Sequence, residues 1–171
     1  MSEPIPITFH SHREPHQVLG LENKTPNGTV GDWGACWDEY FNSGARDKIK
    51  PYMVETPSLG VFCQSEPGYY NYLIGKIVSD VDKIPKGMMI MDFPATDYAV
   101  FTHEWVATID EAQAQIGRIV GYAHGTDRVL PEGYEAYNGP PSPLIFIESY
   151  NYDFENNRFR FEVWLPISAI S

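Results

Sequence analysis

"LIFIESYNYDFENNRFRFEVWLPI", residues 144–167, is the stretch that decides the fold of this chain. Two apolar runs flank a polar segment, the pattern of two strands joined by a turn. Alternation along the first run places Phe146, Glu148 and Tyr150 on one face and Ile145, Ile147 and Ser149 on the other. Glu148 therefore stands between aromatic rings in the middle of a strand. A buried carboxylate costs several kcal/mol unless something pairs with it. Either this face is wet, or the partner is a neighbour in the chain, or the partner is a ligand.

Working outward, the same succession of elements occurs twice. In the second half, "DYAVFTHEW" (97–105) reads as a strand and "TIDEAQAQIGRIVG" (108–121) as a helix, with Ile109, Ala112, Ile116 and Ile119 on one face. Thr108 and Glu111 form a capping-box signature at its start. A long loop (122–143) leads to the opening hairpin, and connections of that length often carry function. In the first half, "HQVLGLE" (16–22) reads as a strand and 29–44 as a helix carrying Val30, Trp33, Trp37, Tyr40 and Phe41. Thr29 with Asp32 resembles a cap, and Gly44 a stop. "SLGVFCQ" (58–64) and "YYNYLIGKIV" (69–78), separated by Glu66-Pro67-Gly68, read as a second hairpin. This predicts an α+β fold: two pseudo-symmetric strand–helix–strand–strand repeats, 16–80 and 87–168, making one continuous antiparallel sheet with helices packed on it. A ligand groove is expected where the repeats meet. Residues 1–15, proline-rich and holding His10 and His12, read as a leader to a single domain over 16–171.

Composition narrows the function. The 171 residues carry a formal net charge of −11, with 23 acidic against 12 basic side chains. Such a surface repels phosphate backbones, so direct nucleic-acid binding is not expected. No apolar run approaches the roughly 18 residues of a membrane span, and the N-terminus has no signal-peptide pattern, so a cytoplasmic location is expected. Two cysteines are too few for a disulfide scaffold or a zinc site. No P-loop, HExxH, nucleophile elbow or glycine-rich dinucleotide motif is present, and the cluster of His10, His12 and His16, which could hold a metal, reads instead as part of a solvated leader. No cofactor or metal is therefore expected.

The second half carries an ordered set of short motifs: Pro94-x-x-x-Tyr-Ala-Val-Phe-Thr-His103, Leu130-Pro-Glu-Gly-Tyr-Glu135, Phe146-Ile-Glu-Ser-Tyr150 and Glu162-Val-Trp-Leu-Pro-Ile167. The first half adds Tyr70-Asn-Tyr-Leu-Ile-Gly75 and Ile84-Pro-Lys-Gly-Met88. This succession resembles the GyrI-like superfamily, the effector-binding domain of AraC-type and MerR-type multidrug regulators, over residues 15–168. The resemblance implies a stand-alone effector-binding module, since it leaves only the leader and no room for a helix-turn-helix. It also implies a lipophilic cationic ligand held by a buried glutamate among aromatic walls, and that glutamate falls on Glu148.

By the same resemblance Tyr72 and Tyr98 are candidate lining residues, and Trp105 stands where many relatives have a small residue. Trp37 lies on the aromatic stripe of the first helix, a pattern shared by core helices. Tyr150 shares the face of Glu148. Glu162 either approaches Glu148 across the hairpin, where two carboxylates raise each other's pKa unless a cation intervenes, or pairs with Arg160. Two further functions accompany the resemblance. One is hydrolysis of cyclopropane-bearing toxins, with Glu148 orienting water or polarising the electrophile and Tyr72 or Tyr150 donating a proton. The other is a protein-interaction role, with gyrase or a DNA-binding protein as partner.

Overall fold

A computed structural model describes residues 5–64, 66–137 and 144–171. In chain order its elements are β1 (Ile7–Arg13), β2 (His16–Pro26), α1 (Trp33–Asn42), α2 (Ala45–Ile49), β3 (Ser58–Gln64), β4 (Tyr69–Val78), β5 (Met88–Phe93), β6 (Thr96–Thr102), α3 (Ile109–His124), β7 (Tyr134–Ala136), β8 (Leu144–Asp153) and β9 (Arg158–Ala169). The class is α+β, with a single antiparallel sheet in the order β1-β6-β9-β8-β3-β4-β2-β5 and β7 added to β9.

Local chemistry sets the element ends. Asp32, not Thr29, caps α1: its carboxylate accepts from the Ala35 backbone N–H at 3.0 Å. Thr29 is held one turn earlier, its hydroxyl donating to the Pro26 carbonyl. Gly44, at φ 79°, makes the left-handed break between α1 and α2. At α3 the Thr108–Glu111 capping box is complete in both directions.

Residues 7–13 are not a leader. They form the edge strand β1, paired with β6 from Ile7↔Thr102 to Arg13↔Thr96. Ile5, Ile7 and Phe9 alternate with Pro6 and Thr8, a short strand signature beside two prolines, and Ile7 and Phe9 stay partly exposed at this edge. His10 and His12 both reach Asp97, at 2.7 and 3.1 Å. Residues 1–4 of the expected leader and 138–143 of the long loop lie outside the described residues.

Only Glu14-Pro15 separates β1 from β2, and only Pro94-Ala95 separates β5 from β6, although each pair belongs to opposite ends of the strand order. The sheet must therefore curl until its ends meet. Its helix-free face closes around Val18, Leu59, Val61, Leu73, Phe93, Tyr98, Ile147 and Trp164. The other face is covered in two places. α1 and α2 bury Leu19, Tyr72, Ile74 and Val78 with Tyr40 and Ile49, and α3 buries Ala99, Phe101, Phe161 and Val163 with Ile119 and Ala123. Between the two helical covers lie β8 and β3, the central strands, and with them Glu148.

Candidate ligand site between the helices

The register of the central strands builds the site. Gly60 on β3 stands directly opposite Glu148 on β8, and Phe62 opposite Phe146. On the next strand Tyr72 is paired with Phe62. Directly paired residues share a sheet face, so Glu148, Gly60, Phe62, Phe146 and Tyr72 all face the helices. Tyr150, two residues on from Glu148, joins them.

Gly60 is what lets Tyr72 reach the carboxylate. A Cβ at position 60 would lie 2.3 Å from the Tyr72 hydroxyl and 2.7 Å from two of its ring carbons. The phenol lies over the missing side chain and donates to Glu148 Oε1 at 2.6 Å. Trp37, from α1, donates its indole N–H to the same phenol oxygen at 2.9 Å. A relay thus runs from the helix through Tyr72 to Glu148. The surroundings are aromatic: ring centroids stand 4.7 Å apart for Trp37–Tyr150, 4.8 Å for Trp33–Tyr72, 4.3 Å for Phe62–Tyr72 and 4.4 Å for Phe62–Phe146. From the α3 side His124 meets Phe146 at 4.5 Å.

Burial pushes the Glu148 carboxyl from 4.5 up to about 6, even though the Tyr72 hydrogen bond pulls the other way. Burial likewise raises the Tyr72 and Tyr150 phenols, and the nearby Glu148 charge raises both further. Glu148 thus has a hydrogen-bond donor in Tyr72, and no cationic side chain lies within ion-pair distance of it among the described residues. Trp33 also walls an open cavity of about 570 Å³ between the outer end of β2 and the start of α1, lined by Glu22, Asp32 and Glu39 against one base, Lys24.

Of the residues expected from the sequence, Glu148, Tyr72, Tyr150 and Trp37 come together. Glu162, Tyr98 and Trp105 do not. Glu162 is paired with Ser149 and Val163 with Glu148, so the two glutamates lie on opposite faces of the sheet. Glu162 is satisfied there by Arg160 at 2.6 Å and the Trp164 indole at 2.9 Å. Tyr98 is in the core of the helix-free face, where its hydroxyl meets His16 at 2.9 Å and its ring packs on Trp164. β6 ends at Thr102, so Trp105 is past the strand; its ring lies under Arg158 and Arg160, 4.6 and 4.8 Å from their guanidinium carbons. Gly60 and Phe62 were not singled out by the sequence; Phe146 and Trp33 were placed on the Glu148 face and the helix stripe but not among the site residues. The available signal was an isolated glycine inside the β3 pattern, a mark of close approach by another group.

Comparison with known proteins agrees with the fold. The Cass2 family, described as integron-associated effector binding protein, matches residues 12–168. The structure of SAV2435 bound to tetraphenylphosphonium superposes with a TM-score of 0.68 at 16% identity, over 95% of this chain and 94% of that one. The integron cassette protein Cass2 from the mobile metagenome of Vibrio cholerae does so with a TM-score of 0.59 at 10% identity, over 94% and 95%. The transcriptional regulator BrlR of Pseudomonas aeruginosa is 29% identical over 97 residues. That match takes in 56% of this chain and 34% of the regulator's length. None of the described helices is long and apolar enough to cross a membrane.

Proposed function

This chain belongs to the Cass2 family of integron-associated effector binding proteins, and from that premise we propose that it captures lipophilic cations, with Glu148 as the charge partner and Trp37, Tyr72 and Tyr150 as the aromatic walls. The observation that carries the reading is a carboxylate in an aromatic enclosure whose one hydrogen bond, from Tyr72, does not offset its burial. A cation with a flat apolar body offsets that cost directly, and each ring face it meets adds roughly 0.5–2 kcal/mol. Binding of tetraphenylphosphonium by SAV2435, a protein of the same fold, supports this class of ligand.

The protein's own rings occupy the space in front of Glu148, so a ligand enters by exchanging its rings for theirs. The excess of acidic over basic side chains lining the cavity beside Trp33, three against Lys24, draws cations toward that exchange. Binding is favoured over hydrolysis. The Tyr72 hydroxyl is already engaged as a hydrogen-bond donor to Glu148, and a phenol whose pKa is raised is a poorer acid.

The test is a titration of tryptophan fluorescence with tetraphenylphosphonium and with neutral triphenylphosphine oxide, on wild type and Glu148→Gln. Saturable quenching by the cation, weakened about tenfold or more in the variant while the neutral compound is unaffected, supports the reading. Equal losses for both compounds reduce Glu148 to a shaping role. Absence of cation binding by the wild type overturns the proposal.

A further inference from the structure

On the far side of α1 from its Asp32 cap lies a cavity of about 400 Å³, built from both halves of the chain. Phe41 of α1, Arg46 and Asp47 of α2, Lys50 just after it and Lys76 of β4 come from the first half, and Phe154 of the β8–β9 turn from the second. The charge here is opposite to that of the molecule. In a chain of net charge −11 with only 12 basic residues, three of them meet around one cavity against a single carboxylate. Among the described residues no acidic side chain lies within ion-pair distance of Arg46, Lys50 or Lys76.

Lys76 makes the arrangement more than a solvated patch. It stands on the face of β4 that carries Tyr72 and Ile74, under the helical cover, and donates to the Thr56 carbonyl. Burial, with Arg46 nearby, holds its ammonium below the ordinary lysine range, and an anion placed beside it favours the charged form. Gly44, Met53 and Thr56 complete the lining with two rings that are open to solvent. Phe41 is 47% exposed and Phe154 74% exposed, and the Arg46 guanidinium already sits 4.8 Å from the Phe41 ring centroid. Two exposed rings beside three unpaired cations present an apolar platform and an anion cradle together.

We propose that this cavity is a second binding site, for a flat aromatic body carrying a phosphate. The excess of two positive charges matches a phosphate monoester dianion, the rings stack on its aromatic part, and Arg46 supplies a planar donor fork. The site is independent of the Glu148 reading, because ligands of opposite charge are selected at the two places.

The probe is 2-naphthyl phosphate, titrated by calorimetry against the full chain, with inorganic phosphate and 2-naphthol as its two halves. The variants are Phe154→Ala and the double variant Arg46→Gln/Lys50→Gln, all at exposed positions, with circular dichroism confirming the fold. Saturable binding at least tenfold tighter than either half, weakened about tenfold in the double variant and severalfold in Phe154→Ala, is the expected result. No saturation at millimolar probe, binding of 2-naphthol equal to that of the phosphate, or unchanged affinity in both variants overturns the proposal. Tetraphenylphosphonium binding by the same variants reads the Glu148 site separately, so loss of one reading is distinguishable from loss of the other.

Discussion

Replacing Glu148 by glutamine should make the protein more stable and a worse binder of cations. The carboxyl titrates near 6 in the folded chain against 4.5 without its surroundings, and that difference corresponds to about 2 kcal/mol. Because the folded value is the raised one, the contribution is fully favourable below pH 4.5 and is lost as pH rises through about 6. Above that the wild type carries the whole cost of an ionised, buried carboxylate. Glutamine keeps an oxygen that accepts from Tyr72 at the same place and carries no charge. At pH 8 Glu148→Gln is therefore expected to be about 2 kcal/mol more stable, narrowing to under about 1 kcal/mol at pH 5. Urea unfolding followed by circular dichroism at the two pH values measures both numbers. In a thermal melt the pH 8 difference corresponds to a rise of roughly 4–8 °C. A variant less stable than wild type at pH 8, or a difference that does not change between pH 5 and 8, would refute the reasoning. The Tyr72 hydrogen bond to the carboxylate would then outweigh burial, and Glu148 would need no further partner.

Three other outcomes follow from the same geometry. Tetraphenylphosphonium affinity should fall as the carboxyl takes up its proton, by about tenfold between pH 8 and pH 5, measured by fluorescence titration in buffers of matched ionic strength. Gly60→Ala forces Tyr72 off its position, since the new methyl would lie 2.3 Å from the phenol oxygen; a loss of about 1–3 kcal/mol in unfolding free energy is expected, together with weaker cation binding. Glu162→Gln, on the opposite sheet face, should leave cation affinity within about twofold of wild type while weakening the contacts to Arg160 and Trp164; a large loss of affinity would place Glu162 back in the site.

The sequence by itself determined what depends on near neighbours. Period-two alternation placed Glu148 between Phe146 and Tyr150, and the Thr108–Glu111 box marked the start of α3, because both are interactions within a few residues of one another. The order of β2, α1, β3, β4, β6, α3, β8 and β9 was legible for the same reason, whereas β1, α2, β5 and β7 were not read as elements. Tertiary structure decided everything that depended on register and curvature. The turn between Asp153 and Arg158 pairs Glu148 with Val163, and in an antiparallel pair that one offset sends Glu162 to the other face. Trp105 left the strand pattern when β6 ended at Thr102, and it found two arginines instead. β1 has only a short apolar alternation, Ile7 and Phe9, between prolines and histidines; its place is fixed by Asp97 and the backbone of β6, which pair with it. The reach of Tyr72 across Gly60 to Glu148 joins three strands, β4, β3 and β8, that only their ladder pairing brings side by side. A side chain's face can be read from the residues on either side of it, but its partner depends on how distant strands are placed against one another.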